Sequence, residues 1–381
     1  MNRKTAGLYI HVPFCRRKCP YCDFFSIPEL TLLPAWLQAV CREAKYYQGK
    51  FKCFNTVYFG GGTPSLLSPS NLDFLLENLR RIFLITPEAE ITLEMNPEDV
   101  SREKLRKLQG LGINRISLGL QSLDDEALTF LGRRHTAFQA EKALGQALEA
   151  GFSSVSVDLI YGLPGQKKQR WEKVLSRVAA SRPHHVSCYL LTIKEGTFFA
   201  RKILNGQPPL FWEKVQRDLF LFTSRWWKNQ GYLHYEVSNF AVSSKHRCAH
   251  NLKYWQRQPY LGLGPSAHSF SQNKRWWNVS SVKEYCRLVS SGFHPVAERE
   301  RLEPAQEKLE TLFLGLRTAD GVSLALFSNL PEDKKTLLEK QGLVKTRDDR
   351  LFCTEQGFLF TDALPLWLTG DFPLKVVAKG R

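Results

Sequence analysis

The sequence lacks a long apolar segment, because no run approaches the ~20 consecutive apolar residues that cross a bilayer. It also lacks an apolar stretch behind Met1 that could serve as a secretory signal, since a short polar start leads directly into a predicted strand. The nine cysteines are an odd number, which does not suit a complete disulfide framework. These absences predict a cytoplasmic protein with reduced thiols.

Acidic residues are in the minority: 37 Asp and Glu stand against 53 Lys and Arg, which gives a formal net charge of +16. A basic surface attracts nucleic acids, anionic lipids or acidic small molecules. The positive charges are spread over predicted helix faces and loops and form no single block, which is typical of a solvated surface. We therefore expect no nucleic-acid partner.

Three cysteines, Cys15, Cys19 and Cys22, share one short loop with the spacing C-x3-C-x2-C. A cubane iron–sulfur cluster normally takes four thiolates, so three would leave one iron open to a substrate or cofactor. Zinc is the alternative, but no second C-x2-C motif is present and His11 is the only close candidate for a fourth ligand. The aromatic neighbours favour a dry cluster site over zinc: Phe14, Tyr21 and Phe24.

Strand and helix patterns alternate through the first half of the chain. Strands are predicted at residues 8–14, 56–59, 90–95, 115–120, 154–160 and 185–191. Helix starts are predicted at Ser68, Ser101 and Thr136. This order predicts an α/β fold with a parallel sheet covered by helices, and six repeats favour an open, partial (β/α)6 barrel.

The end of the chain has a different pattern. Helices at 304–316 and 334–341 precede two strand-like segments, 343–345 and 351–353, joined by a polar turn. The order predicts a smaller winged-helix-like α+β domain. The predicted division is a barrel core at 1–235, a linker at 236–300 and a C-terminal domain at 301–381.

Each predicted strand ends in residues that a core does not need. At the carboxyl edge of a parallel barrel such residues face one site. A carboxylate inside an apolar run needs a cation or a hydroxyl beside it, which makes Glu94 and Asp158 candidates for ligand contact. The full set is Cys15–Cys22, Gly60–Gly62, Thr63, Glu94, Asn96, Gln121, Asp158 and Thr192.

These segments closely resemble the radical S-adenosylmethionine (SAM) family, in its HemN/HemW branch. The resemblance lies in the cysteine motif, the glycine run, Leu-Glu-Met-Asn-Pro, Ser-Leu-Gly-Leu-Gln-Ser and Val-Asp-Leu-Ile-Tyr-Gly-Leu-Pro. It implies that Cys15, Cys19 and Cys22 hold one [4Fe–4S] cluster whose open iron binds the amino and carboxylate groups of SAM. It also implies SAM contacts from Tyr9, Gly61, Gly62, Thr63, Glu94, Gln121, Arg133 and Asp158.

The branch holds oxygen-independent coproporphyrinogen III oxidases and heme chaperones. The oxidase type resembles C-x3-C-x2-C-x-C and has a longer N-terminal extension, whereas this chain has Phe24 at the fourth cysteine position and a short start. Both departures favour the chaperone type. Oxidase activity (coproporphyrinogen III dehydrogenation) is the main alternative, and a basic RNA-modifying enzyme is disfavoured because no RNA-binding module is recognisable.

A second motif resembles the chaperone type. His250-Asn-Leu-Lys-Tyr-Trp255 matches H-N-x-x-Y-W, a motif implicated in heme binding in that type. Histidine is a common axial ligand of heme, and Tyr and Trp can lie on a macrocycle. Cys248 is a rival ligand, and a buried structural histidine is the plain alternative. The implied partners are heme and heme-accepting apo-proteins. Membrane attachment of the acceptors, a homodimer and productive SAM cleavage stay open.

Overall fold

A computed structural model describes residues 5–203, 210–327 and 332–370. Six parallel strands form the centre of one sheet: β1 (Ala6–Val12), β2 (Phe54–Gly61), β3 (Ile85–Met95), β4 (Arg115–Gln121), β5 (Ser154–Tyr161) and β6 (His185–Leu190). The helices between them are α1 (Leu33–Tyr46), α2 (Pro69–Ile82), α3 (Arg102–Gly110), α4 (Asp125–Phe130), α5 (Ala137–Glu149) and α6 (Lys168–Ala180). The predicted βα order is confirmed.

The predicted helix starts are confirmed by their caps. Ser68 precedes α2 and its hydroxyl accepts from the Asn71 N–H at 3.1 Å. Thr136 precedes α5, where its hydroxyl accepts from the Gln139 N–H and the Gln139 side chain accepts in return from the Thr136 N–H at 2.9 Å. Such reciprocal bonds satisfy two of the free N–H groups at a helix start, which fixes where the helix begins.

Residues 236–300, predicted as a linker, contain strands that join the main sheet. After α7 (Phe198–Ile203) and α8 (Leu210–Asn229) the elements are β7 (Leu233–Glu236), β8 (Asn239–Ala241), α9 (Ala249–Trp255), β9 (Tyr260–Leu263), β10 (His268–Ser271), β11 (Lys274–Asn278), α10 (Val282–Ser290) and β12 (Val296–Arg301). The sheet order is β12-β11-β10-β9-β1-β2-β3-β4-β5-β6-β8-β7. β9 pairs in parallel with β1, whose outer edge would otherwise be unpaired.

The two faces of the central strands differ in character. Leu8, Ile10 and Val12 of β1 are fully buried in the hydrophobic core together with the helices. The alternate residues of the neighbouring strands are polar and bond to one another across the other face, as Ser117 does to Asp158. Because successive side chains of a strand point to opposite faces of the sheet, each strand has apolar side chains on one face and polar side chains on the other. The polar face lines the barrel interior.

The C-terminal part forms its own core. Its elements are α11 (Pro304–Gly315), β13 (Val322–Ser323), α12 (Glu332–Lys340), β14 (Val344–Arg347), β15 (Arg350–Cys353) and α13 (Leu364–Thr369). The strands form an antiparallel sheet in the order β13-β15-β14, and a separate apolar cluster includes Leu312, Leu338 and Trp367. This confirms the predicted smaller α+β domain. The extreme ends of the predicted domains, residues 1–4 and 371–381, lie outside the described residues.

Among the helices that the structure describes, none combines the length and the apolar character needed to cross a bilayer.

A buried carboxylate ties the added strands to the barrel. Glu43 of α1 accepts from the Gly264 N–H at 2.8 Å, from the Asn278 amide at 2.6 Å and from the Tyr285 hydroxyl at 2.5 Å. Burial raises the pKa of Glu43 to about 7, although these three donors act in the opposite direction. The carboxyl group therefore ionises later in the folded protein than in the unfolded chain.

This shift predicts a stability that depends on pH. The unfolded chain ionises Glu43 near pH 4.5 and the folded protein only near 7, so folding stability is lost as the pH rises between these values. Relative to the Glu43→Gln variant, wild type should lose roughly 2 kcal/mol of unfolding free energy between pH 5 and 7.5. Denaturant titrations at several pH values measure this difference. Replacement of the exposed Glu88 with Gln is the control, and an equal pH dependence in both variants would contradict the assignment.

Candidate cofactor site

A cavity of about 410 Å³ opens at the carboxyl edge of the parallel strands. Most of the predicted site residues line it: Cys15, Cys19, Cys22, Gly61, Gly62, Thr63, Glu94, Gln121, Arg133 and Asp158. The predicted residues Asn96 and Thr192 line it as well. The predicted residues Tyr9, Gly60, Cys248 and His250 do not. Parallel strands bring their carboxyl ends to one edge, which explains why residues far apart in sequence meet here.

The three cysteines lie on the loop that follows β1. The Cys15 N–H donates to the Ile27 carbonyl at 3.0 Å, which ties the two ends of the loop together, and the Cys22 N–H donates to the Cys19 carbonyl at 3.1 Å in a turn within it. All three thiols are free and partly buried. Among the described residues, no three His, Cys, Asp or Glu side chains converge closely enough to hold a single metal ion.

The thiols have polar neighbours that suit a cluster. The Cys15 Sγ lies 3.2 Å from the Thr63 hydroxyl, and Nη1 of Arg133 lies 3.6 Å from the Cys19 Sγ. Burial raises the pKa of the Cys22 thiol to about 11, and the neighbouring cysteines add to the rise. Since metal ligands must be deprotonated, bound iron would supply the positive charge that a Cys22 thiolate needs.

The glycine run lets the end of β2 approach the cysteine loop. The Gly62 N–H donates to the Val12 carbonyl at 2.8 Å. A Cβ at Gly62 would lie 2.7 Å from the Phe14 carbonyl oxygen, which is closer than real contacts allow. Gly61 has a φ of 109°, in a region that L side chains rarely adopt. Glycine is therefore required here by geometry, and backbone atoms can come close to a ligand.

Two carboxylates lie in the floor of the cavity. Glu94 accepts from the Tyr58 hydroxyl at 2.8 Å, and Asp158 accepts from the Ser117 hydroxyl at 3.0 Å. Burial, together with the nearby Asp158, raises the pKa of Glu94 to about 7. Burial also raises the pKa of Asp158. A cationic group would favour the ionised form of both carboxylates, so the floor of the cavity is suited to the positively charged part of a ligand.

Gln121 and Arg133 complete the wall. Gln121 ends β4 with a φ of 63°, a conformation that is uncommon for a residue other than glycine. Nη2 of Arg133 donates to the Asn96 side chain at 2.7 Å and to the Gly119 carbonyl at 3.0 Å. Its buried Nε has no hydrogen-bond partner among the described residues. A buried N–H group without an acceptor lowers the stability of the fold, so this side of the cavity is suited to a ligand that offers a hydrogen-bond acceptor to Arg133.

Tyr9 and His250 lie beneath this cavity and do not line it. The Tyr9 hydroxyl bonds to Nδ1 of His11 at 3.1 Å, and its ring stacks on Tyr58 at 6.2 Å. His250 is buried, with Nδ1 at 2.8 Å from the Thr56 hydroxyl and Nε2 at 2.8 Å from the Tyr254 hydroxyl. Both ring nitrogens therefore have hydrogen-bond partners, one on β2 and one on the same helix. Iron binding by His250, one of the two predicted ligands, would require one of these bonds to break.

Cys248, the rival ligand, is buried as well. Its Sγ lies 3.8 Å from a carboxylate oxygen of Glu90, and burial raises the pKa of its thiol to about 12. Sequence reasoning missed Tyr58, which lines the cavity and bonds to Glu94. Strand alternation was the available signal, since Tyr58 lies two residues before Gly60 on the same face of β2.

Two family profiles match the chain. The radical SAM superfamily profile matches residues 9–178, and the HemN C-terminal domain profile matches residues 302–360. Among solved structures, coproporphyrinogen III oxidase (HemN) from Escherichia coli has a TM-score of 0.81 at 23% identity, over 97% of this chain and 92% of that one. This likeness shows that the fold is the radical SAM fold.

Full-length relatives are similar at higher identity. The heme chaperone HemW of Mycobacterium tuberculosis is 33% identical over 97% of this chain and 96% of its own length. HemW of Escherichia coli K12 is 36% identical over 94% and 96%. The bovine mitochondrial radical S-adenosyl methionine domain-containing protein 1 is 32% identical over 96% and 87%. With these matches over nearly its whole length, the chain belongs to the HemW family of the radical SAM superfamily.

Proposed function

We propose that the protein is a heme chaperone that carries a SAM-ligated [4Fe–4S] cluster and transfers heme to acceptor apo-proteins. The cavity supports the cluster and SAM part, because it gathers three free thiols, two carboxylates and an arginine at one edge of the sheet. The heme part is supported by the similarity to HemW relatives over almost the whole chain.

In this proposal Cys15, Cys19 and Cys22 hold the cluster, and the cluster supplies an open iron and an electron when it is bound. Glu94 and Asp158 face the cationic parts of SAM and its ribose hydroxyls. The Gly61–Gly62 backbone allows close approach of the methionine end. Arg133 offers its free Nε–H to an acceptor and keeps a positive charge beside Cys19.

The position of Phe24 favours the chaperone over the oxidase. Phe24 lines the cavity, is 62% exposed and stands where the oxidase type of the branch has a further cysteine. A phenyl ring cannot ligate a metal, and the resemblance implies that the oxidase type holds a second SAM near that cysteine. We therefore expect one SAM per chain.

SAM binding should depend strongly on Asp158. Removing one partner of a buried charged contact typically costs ~2–5 kcal/mol. Asp158→Ala should therefore weaken SAM binding by well over tenfold, which calorimetry on anaerobically reconstituted protein measures. Asp73→Ala, an exposed change on α2, is the matched control and should bind as wild type does. Unchanged affinity in folded Asp158→Ala would remove this residue from the site.

The function is tested by two assays on the same reconstituted protein. Heme is titrated and followed by its Soret band, and the loaded protein is then mixed with an acceptor apo-protein. In parallel, coproporphyrinogen III is supplied with SAM and a reductant. We expect stoichiometric heme binding and transfer, with no protoporphyrinogen IX. Robust decarboxylation without a specific heme spectrum would overturn the proposal in favour of the dehydrogenase.

A further inference from the structure

The H-N-x-x-Y-W helix, α9, lies inside the barrel against the polar face of β1 and β2. It contacts the β1 backbone directly, since a Cβ at Gly7 would lie 3.1 Å from Cε1 of His250 and 2.9 Å from Cδ of Lys253. Its first turn is bonded to β3, where Glu90 accepts from the His250 N–H at 3.0 Å and from the Ala249 N–H at 3.2 Å. The helix is thus fixed below the cavity.

The ring of His250 is held on both sides. Thr56 and Tyr254 bond its two nitrogens at 2.8 Å each. Burial lowers the pKa of His250 to about 3, so the imidazole is neutral at physiological pH. A neutral imidazole with both nitrogens hydrogen-bonded is held in one orientation.

The imidazole ring of His250 packs on the ring of Tyr58. The ring centroids of His250 and Tyr58 lie 5.0 Å apart with planes 25° from parallel, and Tyr9 stacks on Tyr58 at 6.2 Å and on His250 at 6.3 Å. Stacked rings restrict each other's rotation. Tyr58 in turn donates its hydroxyl to Oε1 of Glu94 at 2.8 Å, and both residues line the cavity. A continuous set of contacts therefore runs from α9 to the cavity floor.

We propose that His250 is a positioning residue of the cavity: bonded to Thr56 and Tyr254, it fixes Tyr58 so that the Tyr58 hydroxyl donates to Glu94. The link to SAM rests on the proposed function, but the link between His250 and Glu94 does not. In this arrangement the motif serves the SAM end of the barrel, and ligation of iron by His250 would require the loss of its bond to Thr56 or to Tyr254.

The test measures the titration of Glu94 by carbon NMR in protein without SAM, with Glu94→Gln to assign the signal. The Tyr58 hydroxyl opposes the rise in the pKa of Glu94, so losing its correct placement should raise that pKa further. His250→Ala and Tyr58→Phe should each move the midpoint up by roughly 0.5–1 pH unit. The double variant should move it no further, because both changes break the same contact. The titratable groups around Glu94 are Tyr9, Tyr58, Asp158, Tyr189 and Tyr254.

A matched control separates positioning from the mere loss of a buried histidine. His185 is also buried in the barrel, between the Ser156 and Tyr235 hydroxyls. His185→Ala should leave the Glu94 midpoint unchanged. If His250→Ala fails to fold, Thr56→Val removes one of the two bonds to the ring without changing its size much, and a smaller upward shift is expected.

The outcomes are distinct. A Glu94 midpoint that stays at the wild-type value in folded His250→Ala overturns the proposal, and loss of the heme spectrum in that same variant would assign iron ligation to His250 instead. The proposal requires SAM affinity measured near pH 7 to fall in His250→Ala and Tyr58→Phe alike, because both leave Glu94 more protonated. If wild type binds no SAM, the proposed function fails, while the Glu94 titration still decides the role of His250.

Discussion

Replacing any one of Cys15, Cys19 or Cys22 with serine is expected to abolish the iron–sulfur cluster. The three thiols share one held loop and one cavity. A cubane that already lacks a fourth protein ligand is left with two, too few to retain it. Anaerobic reconstitution, followed by iron and sulfide analysis and by visible absorption, should give about four irons and four sulfides per chain in wild type and near none in each variant.

Two other cysteines serve as controls. Cys41 lies on α1 in the main core and Cys286 on α10, and neither lines the cavity. Cys41→Ser and Cys286→Ser should keep the full cluster. Stoichiometric zinc without sulfide in the wild-type protein would replace the cluster with a zinc site, and unchanged iron in Cys19→Ser would remove that residue from the ligand set.

Much of the fold follows from local patterns. The apolar segments at β1–β6 and the caps at Ser68 and Thr136 are local features, and the structure places strands and helices there. The cavity could be predicted for the same reason. In a parallel sheet the carboxyl ends of all strands lie at one edge, so the residues that follow each predicted strand are expected to meet there. The thiols and carboxylates come together through topology alone.

The rest depends on contacts between distant segments. β9 and β10 are only four residues long, and their sequences are typical of loops. They form strands because β9 pairs with β1 and β10 pairs with β9. The residues of the H-N-x-x-Y-W motif suit a heme ligand and a buried structural histidine equally well. The structure places Thr56 of β2 and Tyr254, four residues further along the same helix, on the two sides of His250. The helical spacing of the motif already suits the contact with Tyr254, whereas no sequence pattern near His250 indicates the contact with Thr56.

Glu90→Ala is expected to cause a large loss of stability. One oxygen of Glu90 lies 3.7 Å from Nη1 of Arg115, whose side chain is only 3% exposed. Removing one partner of a buried ion pair leaves the other charge uncompensated and typically costs ~3–5 kcal/mol. The variant also loses the acceptor for the first N–H groups of α9. Denaturant titration at constant pH should show a fall of this size.

Two further variants help to explain the loss of stability: one separates charge from hydrogen bonding, and the other is an exposed control. Glu90→Gln keeps an acceptor for the α9 N–H groups but removes the charge that faces Arg115, so it should retain part of the lost stability. Glu149→Ala breaks the exposed pair with Arg102, and exposed pairs are worth only ~0–1 kcal/mol. Arg115 also donates to the Ser154 hydroxyl and to the His246 carbonyl. If Glu90→Ala loses as little stability as Glu149→Ala, these two acceptors are enough to compensate the buried charge of Arg115. The position of α9 then does not depend on its hydrogen bonds to β3.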